Sequence, residues 1–392
     1  MIRSDKTGDS CIIYLEGRID SNNAPSIEAE LMGILDSLSE ERIVLDASDL
    51  AYISSAGLRI LMKARKRSDE SFEIINVSRD IYEIFETTGF TELFRIKKAY
   101  RSMSIDGLEV IGQGFFGTVY RIDEESIVKV YKGKDSIPMI ENEKRLAQKA
   151  FLSGIPTAIS YDIVKVGEDY GSVFELLNAK TFHELAQDDS EPLECIIEKY
   201  VNLIKQVHAT TMDIGELPSC KKKYLDYLEV IKKHLYDGQY RGIKMLLDNM
   251  EESNRVVHGD IQMKNVMLVD EEAMLIDMDS LGLGNPVFEL AGLFVTYQEF
   301  EEDEPDNSMN FLGMTQDKVD KIWQLILRYY FFFTDESDKE RTVNKIRLAA
   351  ALRFLFLIET TDLKDSDLGR LRIRHTAEHI DELLPQVNDL SI

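Results

Sequence analysis

The spacing of apolar positions switches repeatedly between two periods over the first hundred residues. Ser10-Cys11-Ile12-Ile13-Tyr14-Leu15 and the Gly17-Arg18-Ile19-Asp20 that follows read as strands joined by a turn. Residues 24–38 then place Ile27, Leu31, Ile34 and Leu35 at helical spacing. Arg42-Ile43-Val44-Leu45-Asp46 is a short buried strand, residues 50–61 a loop turning into a helix, and residues 71–77 a further strand. Ile81 to Phe85 begins another helix, broken near Thr87-Thr88-Gly89. Strands alternating with helices imply an α/β layer with crossover connections.

The pattern changes after residue 100. Ile111 to Tyr120 reads as strand, glycine-rich turn and strand; Ser126 to Tyr131 is a third strand, and residues 140–150 form a helix stopped by Gly154 and Pro156. Gly171 to Leu177 is again a strand. From about Pro192 the chain is mostly helical. Ile196, Ile197, Tyr200, Val201, Ile204 and Val207 make one stripe that ends at His208, read as a packing or helix-end residue; Ile322, Trp323, Leu325 and Ile326 make another. The run Glu299 to Glu304 is expected as a solvated acidic loop. Arg372, Arg374, His375 and His379 on the last helix are expected at the surface.

Composition adds bounds. The 392 residues, 44% hydrophobic, suffice for two or three domains. Net charge is −25, a surface that repels nucleic-acid phosphates and anionic lipids. Residues 1–100 carry 13 Lys+Arg against 18 Asp+Glu, so the acidity sits mainly in the later part. Such a field attracts cations, amino alcohols and aminoglycosides among them, but it serves solubility first. Three cysteines without metal spacing fit a reducing cytoplasm. No apolar run reaches membrane-spanning length, and neither a secretory signal nor membrane insertion is expected.

The chemistry concentrates in four segments. Glycines at 112, 114 and 117 let backbone N–H groups approach phosphates with no Cβ in the way. A Rossmann loop would lead into a helix, whereas Thr118-Val119-Tyr120-Arg121-Ile122 favours a strand. Lys129 sits inside an apolar strand, where a lysine must find an anion or lose its charge. Glu143, on the following helix, is the chosen partner and Glu141 the alternative. Finally, Val257-His258-Gly259-Asp260-Ile261-Gln262-Met263-Lys264-Asn265 precedes Leu275-Ile276-Asp277. An Asp, an Asn five positions on and a second Asp after an apolar run suit phosphoryl transfer: one carboxylate for the proton, an amide oxygen and a carboxylate for Mg²⁺. Taken singly, each segment has an ordinary explanation: a snorkelling lysine, a turn, a solvated loop. Their order and number argue otherwise.

That order resembles the protein-kinase-like fold, and the His-Gly-Asp wording resembles its aminoglycoside phosphotransferase and choline kinase branch. The resemblance implies ATP and Mg²⁺, with Gly112, Gly114 and Gly117 over the phosphates and Lys129, held by Glu143, gripping them. It makes residues 171–177, including Glu175, the edge that meets adenine. Asn265 and Asp277 become the metal ligands, Asp260 the catalytic base, and His258 the residue that shapes its loop. Glu289 stands where that branch often has Asp, and is expected to hold the loop by hydrogen bonds. No activation segment ending in Ala-Pro-Glu is visible, which favours a small-molecule hydroxyl acceptor over a protein.

Residues 1–100 resemble the STAS domain of anti-sigma-factor antagonists, through Gly17-Arg18-Ile19-Asp20, Leu45-Asp46, Ser54-Ser55-Ala56-Gly57-Leu58 and Thr88-Gly89-Phe90. The resemblance implies an anti-sigma factor or sensor protein as partner and makes Ser55 a candidate phosphorylation site, although Ser54 replaces the Asp often found before it. Ser55 also reads as an ordinary helix N-cap. The expected architecture is therefore two-domain, α/β plus α+β: a STAS domain over 1–100 and a kinase-like domain over 101–392, with a small lobe to about 178 and a helical lobe beyond. The alternative function is signalling of the antagonist type, in which the kinase-like part only senses nucleotide or phosphorylates a protein serine such as Ser55.

Overall fold

Ser10 to Leu15 alternates inward and outward, burying Cys11, Ile13 and Leu15, because a strand with one covered face needs apolar residues at every second position. This computed structural model describes residues 2–7, 10–38, 42–67, 72–113, 117–133, 136–177, 179–188 and 191–392. They divide into two compact units, residues 1–104 with 163–168, and residues 105–162 with 169–392.

In the first unit β1 (Ile2–Thr7) pairs antiparallel with β2 (Ser10–Leu15). The strands β2, β4 (Arg42–Asp46), β6 (Glu73–Val77) and β7 (Arg95–Lys98) then run parallel, in the order β1-β2-β4-β6-β7. Parallel neighbours need crossovers. These are α1 (Ala24–Asp36), α2 (Ser55–Arg65), and α3 (Arg79–Thr87) with the short α4 (Phe90–Leu93). α1 buries Ala24, Ile27, Leu31 and Leu35, the predicted stripe except that Ile34 is only partly buried and Ala24 joins it. The expected loop at residue 50 is instead β5 (Leu50–Ile53), ordered by parallel pairing with β3 (Gly17–Ile19). α2 starts so close to this pair that a Cβ on Gly57 would lie 2.7 Å from both Ile19 and Ile53. The cap of α2 is Ser54, whose Oγ accepts from the Gly57 N–H. Ser55 is therefore not the cap, as expected from sequence, but the first helical residue, and it is exposed. The two-residue β8 (Arg101–Ser102) pairs with Val164 and Lys165 of the same unit.

The second unit opens with antiparallel strands: β9 (Val110–Gln113), β10 (Gly117–Arg121) and β11 (Ser126–Tyr131). The helix α5 (Ile137–Leu152) follows. After β12 (Ser160–Val166) comes β13 (Asp169–Glu175), which pairs with β11. The short β14 (Lys180–Thr181) leads into α6 (Phe182–Asp188), α7 (Leu193–Ala209), α8 (Cys220–Ile231) and α9 (Asp237–Asn249). Between β15 (Val256–Val257) and β18 (Gly282–Leu283), which pair antiparallel, lies the hairpin β16 (Val266–Val269) and β17 (Glu272–Leu275). The chain finishes in α10 (Val287–Phe294), α11 (Gln316–Tyr330), α12 (Glu336–Thr360) and α13 (Asp367–Leu383). One continuous apolar core runs through these helices, with Tyr200, Phe288, Trp323 and Phe354 buried in it. Among the described residues no helix is long and apolar enough to cross a membrane.

Two surface expectations hold only in part: Arg374 and Glu302 are exposed, but most of the other charged groups in both runs are buried or half-buried. Arg372 is 3% exposed, donating to the Phe300 carbonyl at 3.0 Å and to Glu304 at 2.9 Å. His375 meets Asp303 at 2.5 Å and His379 meets Glu302 at 3.0 Å. Positions 372, 375 and 379 share one helix face, so the run expected to be solvated is held against α13 by one ion pair and two imidazole–carboxylate contacts.

Candidate active site

The strand pair β9–β10 sets Gly112 opposite Val119. Gly117 begins β10 beneath its neighbour: a Cβ there would meet the Val130 carbonyl oxygen at 2.3 Å, so no larger residue fits. Gly114 lies outside the described residues. Lys129, opposite Val119 on β11, reaches two carboxylates from separate segments, Glu143 of α5 at 3.3 Å and Asp277 at 2.7 Å. Burial alone would lower the Lys129 pKa; Glu143 and Asp277 outweigh it, and the net direction is upward. Burial and nearby Asp277 pull Glu143 upward too. Even so, the ammonium and the Tyr131 hydroxyl, 2.5 Å from Glu143 Oε2, both donate to it, which favours the carboxylate.

These groups border a cleft of about 430 Å³. Its apolar lining includes Ile111, Val119, Ile127, Phe174, Met267 and Ile276, and Glu175, Leu176 and Leu177 also border it. Gly112, Gly117, Lys129, Glu143, Glu175 and Asp277 thus line one cavity. Glu175 is exposed.

The loop from His258 to Asn265 is clamped from several sides. The Glu289 carboxylate, 1% exposed, accepts from the backbone N–H of His258 at 2.6 Å, of Gly259 at 3.0 Å and of Ile261 at 3.4 Å. Burial pushes its pKa up, but the His208 imidazole 3.7 Å away, His258 and the Gly259 N–H hold it below the usual carboxylate range. Tyr200 donates to the Ile261 carbonyl at 2.5 Å, and Tyr297 accepts from Met263 N–H at 3.1 Å. Gly259 takes a φ of +84°, and a Cβ would lie 2.6 Å from the Ser280 carbonyl, so the middle residue of His-Gly-Asp must be glycine. His258 is fully buried, its Nδ1 accepting from Asp260 N–H at 3.3 Å.

Asp260 itself keeps about a third of its side chain exposed. Asn265 Nδ2 donates to its carbonyl at 2.8 Å and its Oδ2 at 3.0 Å, and Gln262 donates to Oδ2 at 3.1 Å. Arg353, from the middle of α12, donates to the Gly259 carbonyl at 2.6 Å and comes within 3.5 Å of Asp260 Oδ1. Its guanidinium fits because residue 292 is glycine: a Cβ there would stand 2.7 Å from Arg353 Nη1. The Ile276 N–H bonds the Asn265 carbonyl at 3.0 Å, tying the loop to the segment carrying Asp277. Asp277 has φ +64°, a left-handed conformation that costs energy outside glycine and clusters at functional sites. Burial, then the charges of Asp277 and Asp260, push the Asp279 carboxyl up.

Sequence reading did not single out Tyr131, Tyr200, Tyr297 or Arg353. Arg353 carried a usable signal, since it interrupts the apolar run Ala349 to Leu357 as Lys129 interrupts its strand. Tyr131 lies two positions after Lys129, hence on the same strand face. Ser55 belongs to the first unit.

Comparison with known proteins gives two matches along the chain. The STAS domain model matches residues 1–103, and that of the Phosphotransferase enzyme family matches residues 107–311. A Bordetella bronchiseptica protein described as an anti-sigma factor antagonist, BtrV, is 36% identical over 95 residues, covering 24% of this chain and 81% of that protein. Among solved structures, aminoglycoside phosphotransferase APH(2'')-Ib bound to ADP aligns with TM-score 0.46 at 15% identity, over 78% of this chain and 97% of its own. The streptomycin–ATP complex of APH(2'')-IIa gives 0.46 at 14%, over 77% and 97%.

Proposed function

This chain belongs to the phosphotransferase enzyme family, with a STAS domain ahead of the family's segment, and from that premise we propose that it transfers the terminal phosphoryl group of ATP, with Mg²⁺, to a hydroxyl of a small molecule. The observation that carries this reading is Lys129, bonded at once to Glu143 of α5 and to Asp277 beyond the catalytic loop. A strand, the helix after it and a segment 148 residues beyond Lys129 meet at one ammonium.

Lys129 is held charged and aimed into the cleft, where it neutralises phosphate oxygens. The apolar lining of the cleft takes the base, and Gly112, Gly114 and Gly117 let the backbone close over the phosphates. The donor end of Asn265 faces Asp260, and its amide oxygen with the Asp277 carboxylate would hold the cation. Hard oxygen donors with surplus negative charge, which already pushes Asp279 up, suit Mg²⁺. When bound, Mg²⁺ supplies charge neutralisation of the phosphates. Asp260 accepts the acceptor's hydroxyl proton as its oxygen bonds phosphorus and the bond to ADP breaks. Asn265 and Arg353 fix the rotamer of Asp260, and His258 shapes the loop behind it. Catalysis is positioning and electrostatics.

The test is turnover of labelled ATP against alcohols, amino alcohols and proteins. Asp260→Asn should lower transfer about 10²- to 10⁴-fold without moving the thermal midpoint. Full activity in that variant would overturn the assignment of the base.

A second reading concerns the STAS domain, which we propose engages an anti-sigma factor or sensor protein. What favours it is Ser55, exposed on the first turn of a helix where a phosphate would meet the positive helix end. Mass measurement after incubation with ATP, alone or with a partner kinase, tests it; no added phosphate at Ser55 would remove the switch.

A further inference from the structure

Away from the cleft, the turn that closes α10 buries a carboxylate with nothing to hold it. Glu299 is 7% exposed and ends a π-helical turn, Val295–Glu299. Among the described residues no hydrogen bond or ion pair reaches its side chain. A buried carboxylate without a donor is costly. Burial, then the charge of Glu302, push its pKa up to about 7, against a weak pull from Arg347. The side chain nevertheless points to a common point with two others. One oxygen of Glu299, one of Glu302 and a ring nitrogen of His379 lie within 4.8 Å of one another. Glu302 is exposed and His379 half-buried, so one side of the trio opens to water.

From this arrangement we propose that Glu299, Glu302 and His379 form a second, inorganic site that binds a borderline divalent cation such as Zn²⁺, separate from the nucleotide's Mg²⁺. Carboxylate and imidazole are both donors found in three-ligand zinc sites, and the open side leaves room for water. In a tetrahedral site with bonds of roughly 2.1 Å the ligand atoms stand about 3.4 Å apart; Glu302 and His379 already meet at 3.0 Å, so it is Glu299 that closes on the ion, by up to about 1.4 Å. The bound ion would give Glu299 its missing partner. It would also pin α13 to the segment that runs on to Phe311 and Leu312, whose carbonyls hold Lys264 and Gln187.

The experiment uses the full chain, stripped with chelator and titrated with ZnCl₂ by calorimetry under excess MgCl₂, so that the nucleotide cleft is already supplied. One equivalent should bind and raise the thermal midpoint. Glu299→Gln and Glu302→Gln should each weaken binding by at least roughly tenfold; a Gln at the exposed position 302 can still accept from His379, so that variant should keep the metal-free thermal midpoint. Substitution with Co²⁺ should give a spectrum without a thiolate band, because the exposed Cys195 takes no part. The proposal is overturned if the wild-type chain binds no Zn²⁺, if Glu302→Gln binds it unchanged, or if Cys195→Ser abolishes binding.

Discussion

Ser55 and Asp260 are both candidate points of phosphoryl chemistry, and the protein treats them in opposite ways. Ser55 stands exposed on the first turn of α2, where Ser54 has already taken the capping role. Asp260 sits in a loop whose backbone is bonded by Glu289, Tyr200, Tyr297 and Arg353. A group that another protein must reach has to be accessible, and its surroundings need only tolerate added charge. A group that must take a proton in a defined direction has to be immobilised before the substrate arrives. The first design is local in sequence; the second draws on residues from across the domain.

The sharpest way to break this contrast is to remove a holder. Glu289→Gln should destabilise the second unit by about 1–3 kcal/mol, because buried N–H groups lose a charged acceptor, and transfer should fall with it. Its pH dependence has a defined sign. The folded-state pKa of Glu289 is lowered, so its contribution is present above the ordinary carboxylate range and is lost as pH falls through the lowered value. Acid unfolding of the Gln variant should lack that component, and identical acid curves would refute the role. Next, Arg353→Lys should lower kcat about 10- to 100-fold, the worth of a charge-assisted hydrogen bond of about 1.5–3 kcal/mol, with KM for ATP unchanged. A rise in KM alone would place Arg353 in nucleotide binding instead. The smallest effects belong to the STAS domain. Ser54→Ala should cost about 1 kcal/mol of stability as a lost cap, while Ser55→Asp should stay within about 0.5 kcal/mol. Denaturant melts of the two variants giving the reverse order would show that Ser55, not Ser54, supports the helix.

The elements were legible where the signal was local. Periodicity marked α1 and α7, and the spacing of Asp260, Asn265 and Asp277 marked the loop and hairpin that structure brings together. What the sequence could not display was partnership across distance. Arg353 and Asp260, or Arg372 and Glu304, are neighbours only after α12 and α13 have packed, and neither pair has a spacing rule. For the same reason charged runs read as solvated when a complementary helix face lay far along the chain. The exchange of Ser54 for Ser55 as cap has a different cause: adjacent serines are equivalent to propensity, and the pairing of β3 with β5, with Gly57 pressed against it, decides which one starts the helix.

The missing side chain at residue 292 has a genetic corollary. The atom it would strike is the tip of a long side chain, not a backbone, so Gly292→Ala should leave α10 intact and make the guanidinium withdraw. A lesion in a helix with no view of the substrate would then present as a slow, well-folded enzyme. Homologues that carry a larger residue there should carry something shorter than arginine at 353.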